Sequence, residues 1–154
     1  MMKNKKWKIK GLKNDTPLSE TSRIVLRQKL NGVLSSIKKY FTNTSPDNLH
    51  NLRIALRRLR YNLEIFITCF DEKEIILFYQ KVENLQDVTG NLRDLDVLSK
   101  NIELNSAPGE NDKMKLLSEK VETQKKELFD GLKLSLMEFL HSKNLKEFKK
   151  MIYN

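Results

Sequence analysis

Apolar residues recur every three or four positions along most of this chain, not every second one, and that period predicts amphipathic helices rather than strands. Pro17 follows Thr16, a pairing that reads as an N-cap and first helical position, since proline loses nothing where its missing N–H would have no partner. The first helix is predicted from there to about Phe41. Ser45, Pro46 and Asp47 repeat the start signal, and the pattern behind them continues to Phe70. Asp71 with Glu74 three residues on has the form of a capping box and opens a third helix reaching past Leu98. Pro108 and Gly109 mark a loop over residues 106–111. A Lys- and Glu-rich helix follows over roughly residues 112–140, and Asn144 to Tyr153 forms a short closing helix. Four long helices with short links predict an all-α fold, an antiparallel four-helix bundle with a short C-terminal helix.

Composition agrees with that reading. The chain has 154 residues, suited to one core; 39% are hydrophobic and 32% charged, and there are only five Gly and three Pro. Residues 1–14 read as a basic flexible arm, because Lys3, Lys5, Lys6, Lys8, Lys10 and Lys13 are unrelieved by any acid until Asp15, and residues 15–154 as the helical domain. Cys69 is the lone cysteine, which excludes an internal disulfide framework and favours a reducing compartment, so a cytoplasmic location is expected. No apolar run is long enough to span a membrane. A formal net charge of +9 draws anionic partners without naming one.

The second predicted helix narrows the choice. At about 100° per residue, Leu52, Leu56, Leu59, Leu63, Phe66 and Phe70 share one side, whereas His50, Arg53, Arg57, Arg60 and Tyr61 fall on the other. Neighbours three and four apart lie about 5 to 6 Å from each other at Cβ, so the guanidinium groups form a ladder of like charge, relieved only by Glu64 at its end. A solvated face avoids that repulsion by alternating Glu with Lys. Arginine differs from lysine in binding phosphate through two parallel hydrogen bonds, and this otherwise Lys-rich chain places four Arg within eight residues. On charge pattern alone the competing reading is a solvated face lying over the bundle. Arg58 stands well round the helix from Arg57 and ranks lower as a direct contact. His50 makes a weak metal site alone, because Asp47 and His50 lack the second pair and further carboxylates of a di-iron bundle. His141 reads as a residue at a helix end. No P-loop and no Cys/His zinc pattern is present, and no cofactor or metal is expected.

A second segment runs from Leu85 to Leu98. Gln86, Gly90, Arg93 and Val97 share a helix face there, and a mid-helix glycine, costing about 1 kcal/mol relative to alanine, implies that Gly90 lets another backbone approach. Asp94 and Asp96 are potential acid–base groups, but without a nucleophile or metal set they are expected to hold basic side chains or solvate the helix.

Both segments resemble the CHAD family, the conserved-histidine α-helical domains. His50 through Arg60 resembles its His-x-x-Arg-Val-x-x-Arg-Arg-x-Arg signature, and Leu92 to Val97 with Gly90 resembles Leu-Gly-x-x-Arg-Asp-x-Asp-Val. The resemblance covers about residues 17–153. It implies a helical bundle that binds inorganic polyphosphate, with the family's histidine at His50 and its basic residues at Arg53, Arg57, Arg58, Arg60 and Arg93; Arg27 on the first helix is expected to join them. Family members commonly carry two related halves, and this chain carries a single His-x-x-Arg run. The Glu-x-Glu-x-Lys signature of the triphosphate tunnel domain often joined to the family is absent, so hydrolysis is not implied.

The resulting expectation is a non-enzymatic polyphosphate-binding bundle that pairs as a homodimer to restore two basic helices. Its rival is a nucleic-acid-binding protein gripping a sugar-phosphate backbone with the same arginines. Most aromatics here are Phe in apolar stripes, which argues against base stacking. A phosphotransferase or phosphatase would need metal-binding carboxylates beside the phosphate.

Overall fold

A computed structural model of the chain describes residues 9–105 and 112–154. Among the described residues there are five α-helices and no strand: α1 Leu18–Thr42, α2 Pro46–Phe66, α3 Glu72–Asn105, α4 Asp112–His141 and α5 Lys143–Tyr153. They form the antiparallel four-helix bundle with a short closing helix that the periodicity predicts. The start signals act as expected at two helices. Ser45 accepts a hydrogen bond from the Asn48 N–H at 3.2 Å, and Asp71 accepts one from the Glu74 N–H at 3.1 Å. At α1 the frame moves by one residue: Pro17 takes the cap position, while the Thr16 hydroxyl instead accepts from the Lys13 N–H and closes the preceding turn. α5 carries a cap at Ser142, which accepts from the Leu145 N–H.

The end of the second helix needs correction. The second helix stops at Phe66 instead of Phe70, because Ile67–Cys69 tighten into one 3-10 turn that sends the chain back into α3. The basic arm lies mostly outside the described residues, but Ile9 is half-buried against the core and its carbonyl accepts from the Leu12 N–H across a turn where Gly11 has φ +90. That left-handed backbone is where glycine is needed. The loop expected over 106–111 lies outside the described residues.

Helices adjacent in sequence are adjacent in space, and α5 closes the ring by packing on α1, α3 and α4. The core is one apolar cluster fed by every helix, with Leu26, Leu30, Leu52, Leu56, Leu59, Leu63 and Phe78 fully buried. α5 is keyed into it by Phe148, whose ring stacks on Phe78 at 3.9 Å between centroids, with Phe139 of α4 tilted against Phe78 at 5.9 Å. At its far end Arg23 donates to the Asn154 carbonyl. α4 meets α1 through the Tyr40–Phe129 edge contact at 6.4 Å. The described helices include none long and apolar enough to cross a membrane.

α3 is longer than α2, and the contacts between them fix how they are staggered. Glu64 meets Tyr79, Arg60 meets Gln86 and Arg53 meets Gly90, a register that brings Pro46, the first residue of α2, level with Val97. The last turns of α3 therefore run past the α1–α2 turn. α4 accompanies them, held by Ser99 to Glu122 at 2.7 Å and by Asp96 to Lys125 at 3.0 Å.

Replacing Phe148 by Ala is expected to remove about 3 to 5 kcal/mol of stability, the range for emptying a buried aromatic site, and to release α5; urea denaturation and amide exchange over residues 143–153 measure both. Tyr40 gives a pH prediction. Burial of its ring, and secondarily the Asp96 carboxylate, push the phenol up to about 12 from an ordinary 10.0. The neutral form is thus favoured in the folded state. Its contribution is complete below pH 10 and is lost as pH rises through about 12. Melting temperature between these limits should decline less steeply in Tyr40→Phe than in the parent chain.

Candidate functional site: the arginine seam between two helices

The α2 stripe of Leu49, Leu52, Leu56, Leu59, Leu63 and Phe66 is buried, and this fixes where every other side chain of that helix points. Arg53, Arg57 and Arg60 lie on the flank facing α3, and His50 continues the row one turn earlier, exposed to solvent. From His50 to Arg60 the row spans about 15 Å along the helix axis. Arg58 lies on the other flank, exposed, well away from the seam.

Two of these guanidinium groups reach across to α3. Arg60 donates from Nη1 to Gln86 Oε1 at 3.3 Å and from Nε to Glu64 Oε1 at 3.3 Å. Arg53 crosses Gly90: a Cβ built on that glycine would lie 3.8 Å from Arg53 Nε. Gly90 was expected to admit another backbone, and the structure corrects this, since what passes over it is an arginine side chain. Arg93 is one turn further along the same flank of α3, level with His50 in the register described above. Tyr61 supports the row from outside. The guanidinium carbons of Arg57 and Arg60 sit 5.7 and 5.6 Å from its ring centroid, within cation–π range.

The seam is electrically asymmetric. At the Arg60 end, Glu64 accepts a hydrogen bond from the Tyr79 hydroxyl at 2.7 Å, and this bond, together with burial, pushes the Tyr79 phenol up to about 12. Among the described residues the ion pairs are Arg60–Glu64, Lys125 with Asp96 and Glu122, and Lys150–Glu147. Arg53, Arg57 and Arg93 thus have no carboxylate of a described residue within 4.0 Å, which leaves their donors available to an anion.

Arg27 does not come to this seam. Its guanidinium lies 5.6 Å from the Tyr153 ring centroid and its Nε donates to the Arg23 carbonyl, so it belongs to the α1–α5 contact. The apolar stripe of α1 placed Arg27 beside the core correctly, but not which neighbouring helix it meets. Asp96 pairs with Lys125, and this pair lines a cavity of about 350 Å³ with Tyr40, Pro46 and Leu49. Cys69 is half-buried against the core, and His141 is exposed in the last turn of α4. No group of three or more His, Cys, Asp or Glu among the described residues could hold a metal ion. Sequence reasoning missed the anchoring role of Gln86 and the Tyr79–Glu64 bond. Gln86 was on the right face, but Tyr79 and Glu64 lie on different helices and no local spacing links them.

Comparison with curated proteins and with solved structures returned no match. Comparison with family models gave the CHAD domain, matched over residues 4–103 and again over 27–152. Both of these spans contain the whole seam, from His50 to Arg93. With a family model covering most of its length, the chain belongs to the CHAD domain family.

Proposed function

We propose that this protein binds inorganic polyphosphate along the α2–α3 seam, as a non-catalytic module. The observation that carries the reading is the row of Arg53, Arg57 and Arg93 with no carboxylate partner among the described residues, flanked by His50 and by Arg60 held on Gln86. Like charges held this close are unfavourable in isolation, and an anion with closely repeated phosphates relieves all of them at once. Gln86, Tyr61 and Gly90 fix or admit the guanidinium groups before a ligand arrives, which lowers the ordering cost of binding. The property that the family resemblance implies points the same way. Two such chains pair as a homodimer, giving two seams per assembly. Arg58, on the opposite flank of α2, and Arg27, on the α1–α5 contact, contribute only to the general field.

Nucleic acid is the competing ligand, since a sugar-phosphate backbone meets the same arginines. Competition of polyphosphate against single-stranded RNA of equal charge, at two salt concentrations, decides between them. Polyphosphate is expected to win at both, and displacement by RNA overturns the proposal.

Changing Arg53 and Arg57 together to Lys keeps the charge but removes the forks. Affinity is expected to fall about tenfold, the equivalent of one charge-assisted hydrogen bond, whereas Lys5→Ala with Lys6→Ala changes it little. Isothermal titration at fixed ionic strength makes the comparison, and equal losses would mean that diffuse charge does the binding. Glu64→Gln tests the acidic end of the seam. With Arg60 freed from its ion pair, affinity should rise by about two- to fivefold, and the slope of log affinity against log salt should steepen by roughly one.

A further inference from the structure

Where α3 and α4 run past the α1–α2 turn they lose two of their neighbours, and their apolar residues are left uncovered. Leu104 is 82% and Leu116 67% exposed, and Val97, Leu98 and Leu117 are exposed with them. Among the described residues of this hairpin, 97–105 and 112–122, only Ile102 and Val121 are buried. Below it, on the outer side of the same two helices, Leu95, Leu98 and Leu128 line a groove of about 590 Å³. Leu98 belongs to that groove, whereas Val97 and Leu104 continue the α3 face of Gly90 and Arg93 beyond the end of α2, so apolar residues lie on more than one side of the hairpin.

We infer that this projecting α3–α4 hairpin is the surface through which two copies of the chain associate, each laying its hairpin on the other to form a second four-helix cluster. The inference rests on the pairing proposed above and assigns it a place. Charge favours a second copy over other occupants. The chain as a whole carries +9, and copies meeting through their basic faces would repel one another. In residues 97–105 and 112–122 the lysines (Lys100, Lys113, Lys115, Lys120) are matched by four acids (Glu103, Asp112, Glu119, Glu122), so this face is neutral. Neutrality removes the repulsion between copies, and it also removes the basic excess that would draw the hairpin to an anionic membrane.

Size is also adequate. From Asn91 to Asn105 the face is about 22 Å long and two helix diameters, about 20 Å, wide. Burying it on both copies covers on the order of 1,000 Å², the lower edge of specific interfaces. Association on the order of micromolar is expected from an area at that limit. Because the same patch serves both partners, the contact is two-fold and closes at the dimer.

The test is sedimentation velocity of the full chain across a micromolar concentration series, beside the double variant Leu104→Glu with Leu116→Glu. Both side chains are exposed in the single chain, so the variant should keep its helical circular dichroism and its melting temperature. The parent chain is expected to move from one to two chain masses over the series. The variant is expected to associate at least about 100-fold more weakly, since pairing would bury four new carboxylates. A variant that dimerises like the parent overturns this surface and leaves the pairing intact. A parent chain that stays monomeric throughout overturns both. Titration of both proteins with short-chain polyphosphate reads the seam separately, and equal affinities are expected.

Discussion

Four arginines within eight residues can share one helix only if something stronger than their mutual repulsion holds that helix in place. In α2 this is the buried stripe from Leu49 to Phe66. Each fully buried leucine contributes about 1.5 to 3 kcal/mol, whereas each like-charged pair one turn apart opposes by a few tenths. Burial wins several times over. The helix is not free to rotate, unwind or slide to spread its charges, and the guanidinium groups stay where the leucines put them. The seam with α3 follows, because Gln86 and Gly90 meet Arg60 and Arg53 only while that rotation is kept.

The seam also depends on its uneven ends. Glu64 takes hydrogen bonds from both Arg60 and Tyr79, so the row stops in a neutralised corner between two helices. Toward His50 and Arg93 no such stop exists among the described ion pairs. An anion seated here meets graded attraction, weakest where protein groups already serve as its substitute. The strongest pull on an anion is therefore toward Arg53, Arg57 and Arg93, away from the Glu64 corner.

The helices and the arginine row were legible in the sequence because they follow from period and local spacing. Ser45 and Asp71 marked helix starts through contacts three residues away, and the leucine period alone put Arg53, Arg57 and Arg60 on one side. What failed depended on partners far along the chain. Arg27 was expected at the seam, but Tyr153, 126 positions on, places it against α5. Gly90 signalled a close approach without saying whether a backbone or a side chain would make it. The early stop of α2 at Phe66 has no proline or glycine to announce it. It arises because Ile67, Cys69 and Phe70 pack against the core and turn the chain.

The way α5 completes the ring affects how the protein folds. Apart from the Tyr40–Phe129 contact of α1 with α4, the other helix pairings join neighbours in sequence, so the three hairpins need only short loops closed and can form early. The contact of α5 with α1 spans nearly the whole chain, as the Arg23–Asn154 bond shows, and its closure entropy is repaid only once the other helices are packed. An eleven-residue helix is marginal alone, so α5 takes its helical form from the aromatic socket that receives it. α5 is synthesised after the helices it packs on, and until it docks the face of Phe78 that stacks on Phe148 is uncovered. Transiently exposed aromatic surface favours aggregation, and the docking of α5 removes it.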